Sequence, residues 1–103
     1  MTPPPDAPAA RGVVRLLNTA DGRSLCLAGD VDGPAVAAFL HRYGREPARI
    51  DRIDAGSVVA LSASGLELVL DHLAAAALAG RPVAVDPSPP VRRLLAQARA
   101  IGR

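Results

Sequence analysis

The chain has 103 residues, enough for one domain around a modest core, and half of them are hydrophobic although only Phe39 and Tyr43 are aromatic, so that core must be built from Val, Leu, Ile and Ala. All twelve basic residues are arginine, set against ten acidic ones for a formal charge of +2. They are scattered without interleaved aromatics, a poor footprint for nucleic acid. Cys26 is the single cysteine. With no intrachain disulfide, no basic-then-apolar leader and no apolar run near ~18 residues, the expectation is a cytoplasmic protein that does not insert in a membrane.

Residues 1–11 carry Pro3, Pro4, Pro5 and Pro8 with no apolar periodicity. A partly extended tail is predicted there, with the domain occupying 12–103. Val13 to Leu17 is a short apolar run, and Ser24 to Gly29 is its expected return strand. The intervening Asn18-Thr19-Ala20-Asp21-Gly22 contains Asp-Gly, a strong hairpin signal. Cys26 then falls on a strand as a small residue in or near the core, with no neighbouring His or Cys to activate it.

Asp30-Val31-Asp32-Gly33-Pro34 leaves that strand. Asp32 or Gly33 can cap a helix whose first turn tolerates Pro34. Val36, Phe39, Leu40 and Tyr43 follow at i, i+3, i+4 and i+7, and Gly44 ends the pattern. His41 falls between stripe residues and is expected at the surface. Over 48–61 the periodicity is mixed. Ile53-Asp54-Ala55 alternates and Val58-Val59-Ala60-Leu61 reads as a buried run, so Gly56-Ser57 marks a bulge or kink between two strand pieces.

Ser62-Ala63-Ser64-Gly65-Leu66-Glu67 joins this strand to the longest helix. Ser64 and Glu67 have the S-x-x-E spacing of a capping box, which makes Ser64 the expected N-cap. Behind it Leu66, Val69, Leu70, Leu73, Ala76 and Ala77 form the predicted buried stripe, which ends at Gly80. Leu68, Ala75, Leu78 and Ala79 lie off that stripe beside polar Glu67 and Asp71. So apolar an outer face suggests a contact surface, the bland alternative being an Ala-rich composition bias.

Arg81-Pro82-Val83-Ala84-Val85 is predicted as a short strand with proline at its start. In Asp86-Pro87-Ser88-Pro89-Pro90, Ser88 is the expected N-cap and Pro89 the first helical residue. Val91, Leu94, Leu95, Ala98 and Ile101 form the last apolar stripe, with Arg92, Arg93 and Arg99 on the solvated side. The order β-β-α-β-α-β-α implies an α/β domain: a mostly parallel sheet of about four strands, an N-terminal hairpin and three helices packed on it.

The sequence over about 13–101 resembles the STAS domains (sulphate transporter and anti-sigma factor antagonist). Leu27-Ala28-Gly29-Asp30-Val31-Asp32 is similar to the family's L-x-G-E-[LV]-D segment, and Ile53-Asp54-Ala55-Gly56-Ser57 to its L-D-L-S-x strand. Ser62-Ala63-Ser64-Gly65-Leu66 sits where the family has D-S-S-G-L. Val85-Asp86-Pro87-Ser88-Pro89-Pro90-Val91-Arg92-Arg93-Leu94-Leu95 is similar to V-N-P-S-P-x-V-R-R-L-L.

This resemblance implies a non-enzymatic protein–protein interaction module, an anti-sigma factor antagonist in bacterial partner switching that controls transcription. The implied partner is an anti-sigma factor with serine-kinase activity. In such antagonists the first serine of D-S-S-G is the phospho-acceptor, and the phosphate's charge of about −1.5 to −2 weakens the partner contact. Here that position is Ala63, which has no hydroxyl, and Ser62 replaces the acidic residue before it. The expected switch region is therefore Ser62, Ala63 and Ser64, with Ser62 a candidate displaced acceptor. The expected partner-binding residues are Asp30, Asp32, Ser62, Ala63, Gly65, Leu68, Asp71 and Ala75. The alternatives are an accessory subunit of an ABC-type lipid transport complex, or a sensor of a nucleotide or small ligand near Asp30 and Ser62. No nucleophile–base pair or metal-ligand spacing stands out, so no cofactor, metal or catalysis is expected.

Overall fold

The computed structural model describes residues 12–101. The segment 1–11, predicted above as a tail, lies outside the described residues. Strands β1 (Gly12–Thr19) and β2 (Gly22–Val31) are followed by α1 (Gly33–Tyr43), β3 (Arg52–Leu61), α2 (Ala63–Leu78), β4 (Ala84–Pro87) and α3 (Pro89–Ile101). The four strands form one sheet in the order β1-β2-β3-β4, with β1 antiparallel to β2 and the other two pairings parallel. The α/β class and the mostly parallel sheet behind an N-terminal hairpin are thus as expected.

One face of this sheet carries the core. Val14 and Leu27, then Leu16, Leu25, Ile53 and Val85, are register partners across the strands and point to the same side. Ala35, Val36 and Phe39 of α1, Leu68 and Val69 of α2, and Val91 of α3 pack on them in a single cluster. Two short crossovers between neighbouring parallel strands put successive helices on one side, which accounts for the two-layer form. The opposite face shows three rungs: Val13-Ala28-Ser57, Arg15-Cys26-Asp54-Asp86, and Leu17-Ser24-Arg52-Ala84. Among the described residues no helix covers it.

Several boundaries differ from expectation. The hairpin turns at Ala20-Asp21, with Thr19 pairing Gly22, so the turn falls one residue earlier than Asp-Gly suggests. Residues 52–61 form one strand rather than two pieces. Its pairing with β2 shifts register between Cys26 and Ala28, opposite Asp54 and Ser57, so the Gly56 break is a bulge within a continuous strand. β4 begins at Ala84, after Pro82, and ends on Pro87. It is an edge strand, where the missing proline N–H leaves no ladder bond unmade. Ser88 precedes α3 as predicted, but its buried hydroxyl has no hydrogen-bond partner among the described residues. Pro90, the second residue of α3, has removed one of the two amide donors that a cap would serve.

The largest difference concerns α2. Its buried residues are Gly65, Leu68, Val69, His72 and Ala76, so Val69 and Ala76 face inward as predicted but the centre of the inward face is displaced by one residue from the predicted stripe, about 100° around the axis. Two residues cause the shift. Gly65 passes so close to the sheet that a Cβ there would lie 2.6 Å from Leu61 Cδ1 and 3.2 Å from Val31 Cγ1. His72 is 2 % exposed and is fully bonded: its Nε2 accepts from the Ala48 N–H at 3.1 Å, and its Nδ1 lies 2.9 Å from the Leu68 carbonyl. Because a backbone N–H can only donate, Nε2 is the acceptor and Nδ1 carries the proton to Leu68. His72 therefore ties the loop before β3 to the middle of α2, and its ring meets Phe39 edge-on at 6.2 Å.

Replacing His72 with Leu keeps the volume but strands the Ala48 N–H, so it should cost about 1–3 kcal/mol in urea unfolding. His72→Gln, which retains an acceptor, should recover part of that loss.

Candidate functional site

The parallel strands β2 and β3 end side by side at Val31 and Leu61, and each is followed at once by a helix cap. Asp32 caps α1, its Oδ1 accepting from the Ala35 N–H at 3.0 Å. Ser62, not Ser64, caps α2: its Oγ accepts from the Gly65 N–H at 3.1 Å, while Leu66 N–H donates to its carbonyl at 2.9 Å. The Ser62 N–H in turn donates to the Val31 carbonyl at 2.9 Å. A hydroxyl can reach the N2 or N3 amide only from the residue before the helix, and tertiary pairing of Ser62 with Val31 sets where the helix begins. Ser64 lies one turn position too late. Its hydroxyl is 3.1 Å from that of Ser62, and Glu67 is exposed on α2 rather than folded back as a box partner.

Ala63, the first residue of α2, is exposed at this end of the sheet. Next to it a groove of about 220 Å³ runs between α1 and α2. Val36, Leu40 and Leu68 supply its apolar side, and Ser64, Glu67 and Asp71 line it along α2 with Arg45 opposite. Those three α2 residues sit three and four apart, the spacing of one helical edge. An apolar cleft with a carboxylate rim suits a protein segment bearing apolar anchors and basic groups.

The sequence-predicted residues fall into four groups. Ser62, Ala63, Ser64, Gly65 and Asp71 gather at or beside this groove, with Asp32 capping the neighbouring helix. Leu68 is buried at 6 % exposure and meets the groove only from its floor, so it is not on the outer face of α2 where it was expected. Ala75 is half-buried twelve residues beyond Ala63, about 18 Å along the axis, beside Ala48 and Arg49. Asp30 is half-buried on β2 where alternation turns it toward the uncovered sheet face. Sequence reasoning missed Arg45 and gave Glu67 the wrong role, although the 64/67/71 spacing was readable. It also passed over His72, whose environment no local pattern announces.

Among the described residues no group of three or more His, Cys, Asp or Glu could hold a metal, and no helix is long and apolar enough to cross a membrane. Comparison of the chain with protein-family models, with curated proteins and with solved structures finds no match.

Removing the hydroxyl of Ser62 should cost about 0.5–2 kcal/mol in denaturant melts. Ser64→Ala should cost clearly less; the opposite order would return the cap to Ser64. Leu68→Arg places a charge in the core and should abolish cooperative unfolding, whereas Glu67→Arg on the rim should leave the melt within about 0.5 kcal/mol of the parent.

Proposed function

We propose that the chain is a STAS-like, non-enzymatic interaction module of the partner-switching type, and that the α1–α2 groove with the start of α2 docks an anti-sigma-factor-like serine kinase. The observation that carries this reading is the exposed Ala63 at the first position of α2, beside a groove with apolar and acidic walls. That position corresponds to the phospho-acceptor in the antagonists the sequence resembles. With a methyl group in its place the charge switch has no acceptor there, and the module stays in its binding form while ATP is present. The neighbouring hydroxyls serve structure: Ser62 holds the cap and Ser64 bonds to it. Glu67 and Asp71 select a partner with basic groups along the groove, and Val36 and Leu40 take its apolar anchors.

The test uses the serine kinase of this type from the same genome. The complex with the parent chain should survive ATP, with no phosphate on the 62–64 peptide by mass spectrometry. Ala63→Asp should weaken binding at least tenfold in calorimetry while leaving the free domain as stable as before or slightly more so, because a carboxylate at a helix N-terminus is favourable. One charge is less than a phosphate carries, so the effect is only part of a full switch. Full binding by Ala63→Asp would move the docking site elsewhere, and phosphate on Ser62 would make the switch displaced rather than absent.

A further inference from the structure

The uncovered face of the sheet has a composition that the α1–α2 groove does not explain. Of the large hydrophobic side chains that remain exposed, Val13 at 51 % and Leu17 at 40 % both stand on this face of the edge strand β1. Between the rungs of Val13 and Leu17 the middle strand β2 presents only small residues to it, Ser24, Cys26 and Ala28; Asp30, engaged in an interaction of its own, follows beyond the Val13 rung. Between Val13 and Leu17 stands Arg15, which makes no ion pair or hydrogen bond among the described residues. Two strands away on the same rung is Asp54, exposed, with no more than a long 3.4 Å hydrogen bond from the Gly56 N–H. Its other rung neighbour is Asp86, a like charge whose own partner is Arg52. Among the described residues, one rung of this face thus holds a cation on β1 and an anion on β3 that have no ion-pair partner, with β2 midway between them.

We propose that this face binds a second copy of the chain. A two-fold axis parallel to the strands and passing over β2 exchanges the positions of β1 and β3. Arg15 then faces the partner's Asp54, and Asp54 faces the partner's Arg15, in two equivalent ion pairs. Along the axis, Ser24, Cys26 and Ala28 meet their own copies, and their small side chains allow the close approach that packed sheets need at a spacing of about 10 Å. Val13 covers the partner's Ser57, and Leu17 lies on the aliphatic stem of the partner's Arg52, whose guanidinium Asp86 already holds. Other arrangements of two copies lose this match: an axis across the strands would set Arg15 on Arg15. Adjacent strands are about 4.8 Å apart and residues rise about 3.3 Å, so the patch is roughly 15–20 Å on a side, small for a specific interface, and the dimer is correspondingly weak.

Three measurements on the full chain decide this. Sedimentation equilibrium across roughly 10–500 µM, the range suited to so small an interface, should show the mass rise from the 10.5 kDa chain toward twice that value. Arg15→Asp or Asp54→Arg should raise the dissociation constant at least tenfold, and the double exchange Arg15→Asp/Asp54→Arg should restore the parent value. Circular dichroism shows that each variant is folded; if Asp54→Arg is not, Asp54→Asn and Leu17→Lys take its place and should each weaken the dimer. A short bismaleimide should join Cys26 to the partner's Cys26 in the parent and the double exchange but not in the single reversals. A mass that stays monomeric at the highest concentration overturns the proposal, including the case in which residues 1–11 or an unrelated partner shield Cys26. A dimer indifferent to both charge reversals, or one that cannot be cross-linked through Cys26, overturns it equally.

Discussion

Ser62 is the residue on which the functional end of this domain depends. Its N–H closes the pairing of β3 with Val31, its carbonyl takes the first bond of α2, and its hydroxyl satisfies the Gly65 amide. Each contact alone is an ordinary hydrogen bond worth about 1 kcal/mol. Their joint effect is geometric: they set the residue at which α2 begins and so the rotation of the whole helix about its axis. Leu68, Val69, His72 and Ala76 are thereby turned inward, and Ser64, Glu67 and Asp71 are turned to the groove. Starting the helix two residues later would leave α2 without its anchor to the sheet.

The close approach at Gly65 and the double bonding of His72 maintain that rotation. Glycine removes the Cβ that Leu61 and Val31 leave no room for. The imidazole, buried beside Phe39, exchanges its hydration for a backbone donor and a backbone acceptor, so a polar side chain occupies the core without an unmet bond. Because Ala48 lies in the loop that leads from α1 to β3, the same ring holds one wall of the groove against the other. The groove is thus a consequence of core packing rather than of a loop added to it.

The domain has two sides of different character. Three helices bury one sheet face and create the groove. The other face keeps a small-residue centre line between Arg15 and Asp54 in fixed register, because strand pairing holds side chains on a two-residue repeat. The groove and the open sheet face lie in opposite layers, so the two contacts proposed above do not compete for one surface.

Much of the architecture was legible in the chain itself. Apolar period and turn residues located all seven elements, the Gly44 stop and an irregularity at Gly56, and narrowed the first cap to Asp32 or Gly33. These features arise within a few residues of one another, where steric limits and local hydrogen bonds act. The α2 cap and the inward face of α2 were misassigned for a common reason. A pattern of apolar side chains ranks Gly65 and His72 as outside and Leu66 and Leu70 as inside, whereas backbone contact and a bond from Ala48, twenty-four residues away, bury Gly65 and His72 and leave Leu66 and Leu70 only half-buried. The sequence by itself determined which segments become helix and strand, since that choice rests on local period and capping. Which serine caps α2, which carboxylates line the groove, and that Arg15 and Asp54 share one rung were decided only by the tertiary structure, because strand register and helix rotation are settled by contacts between residues far apart in the chain.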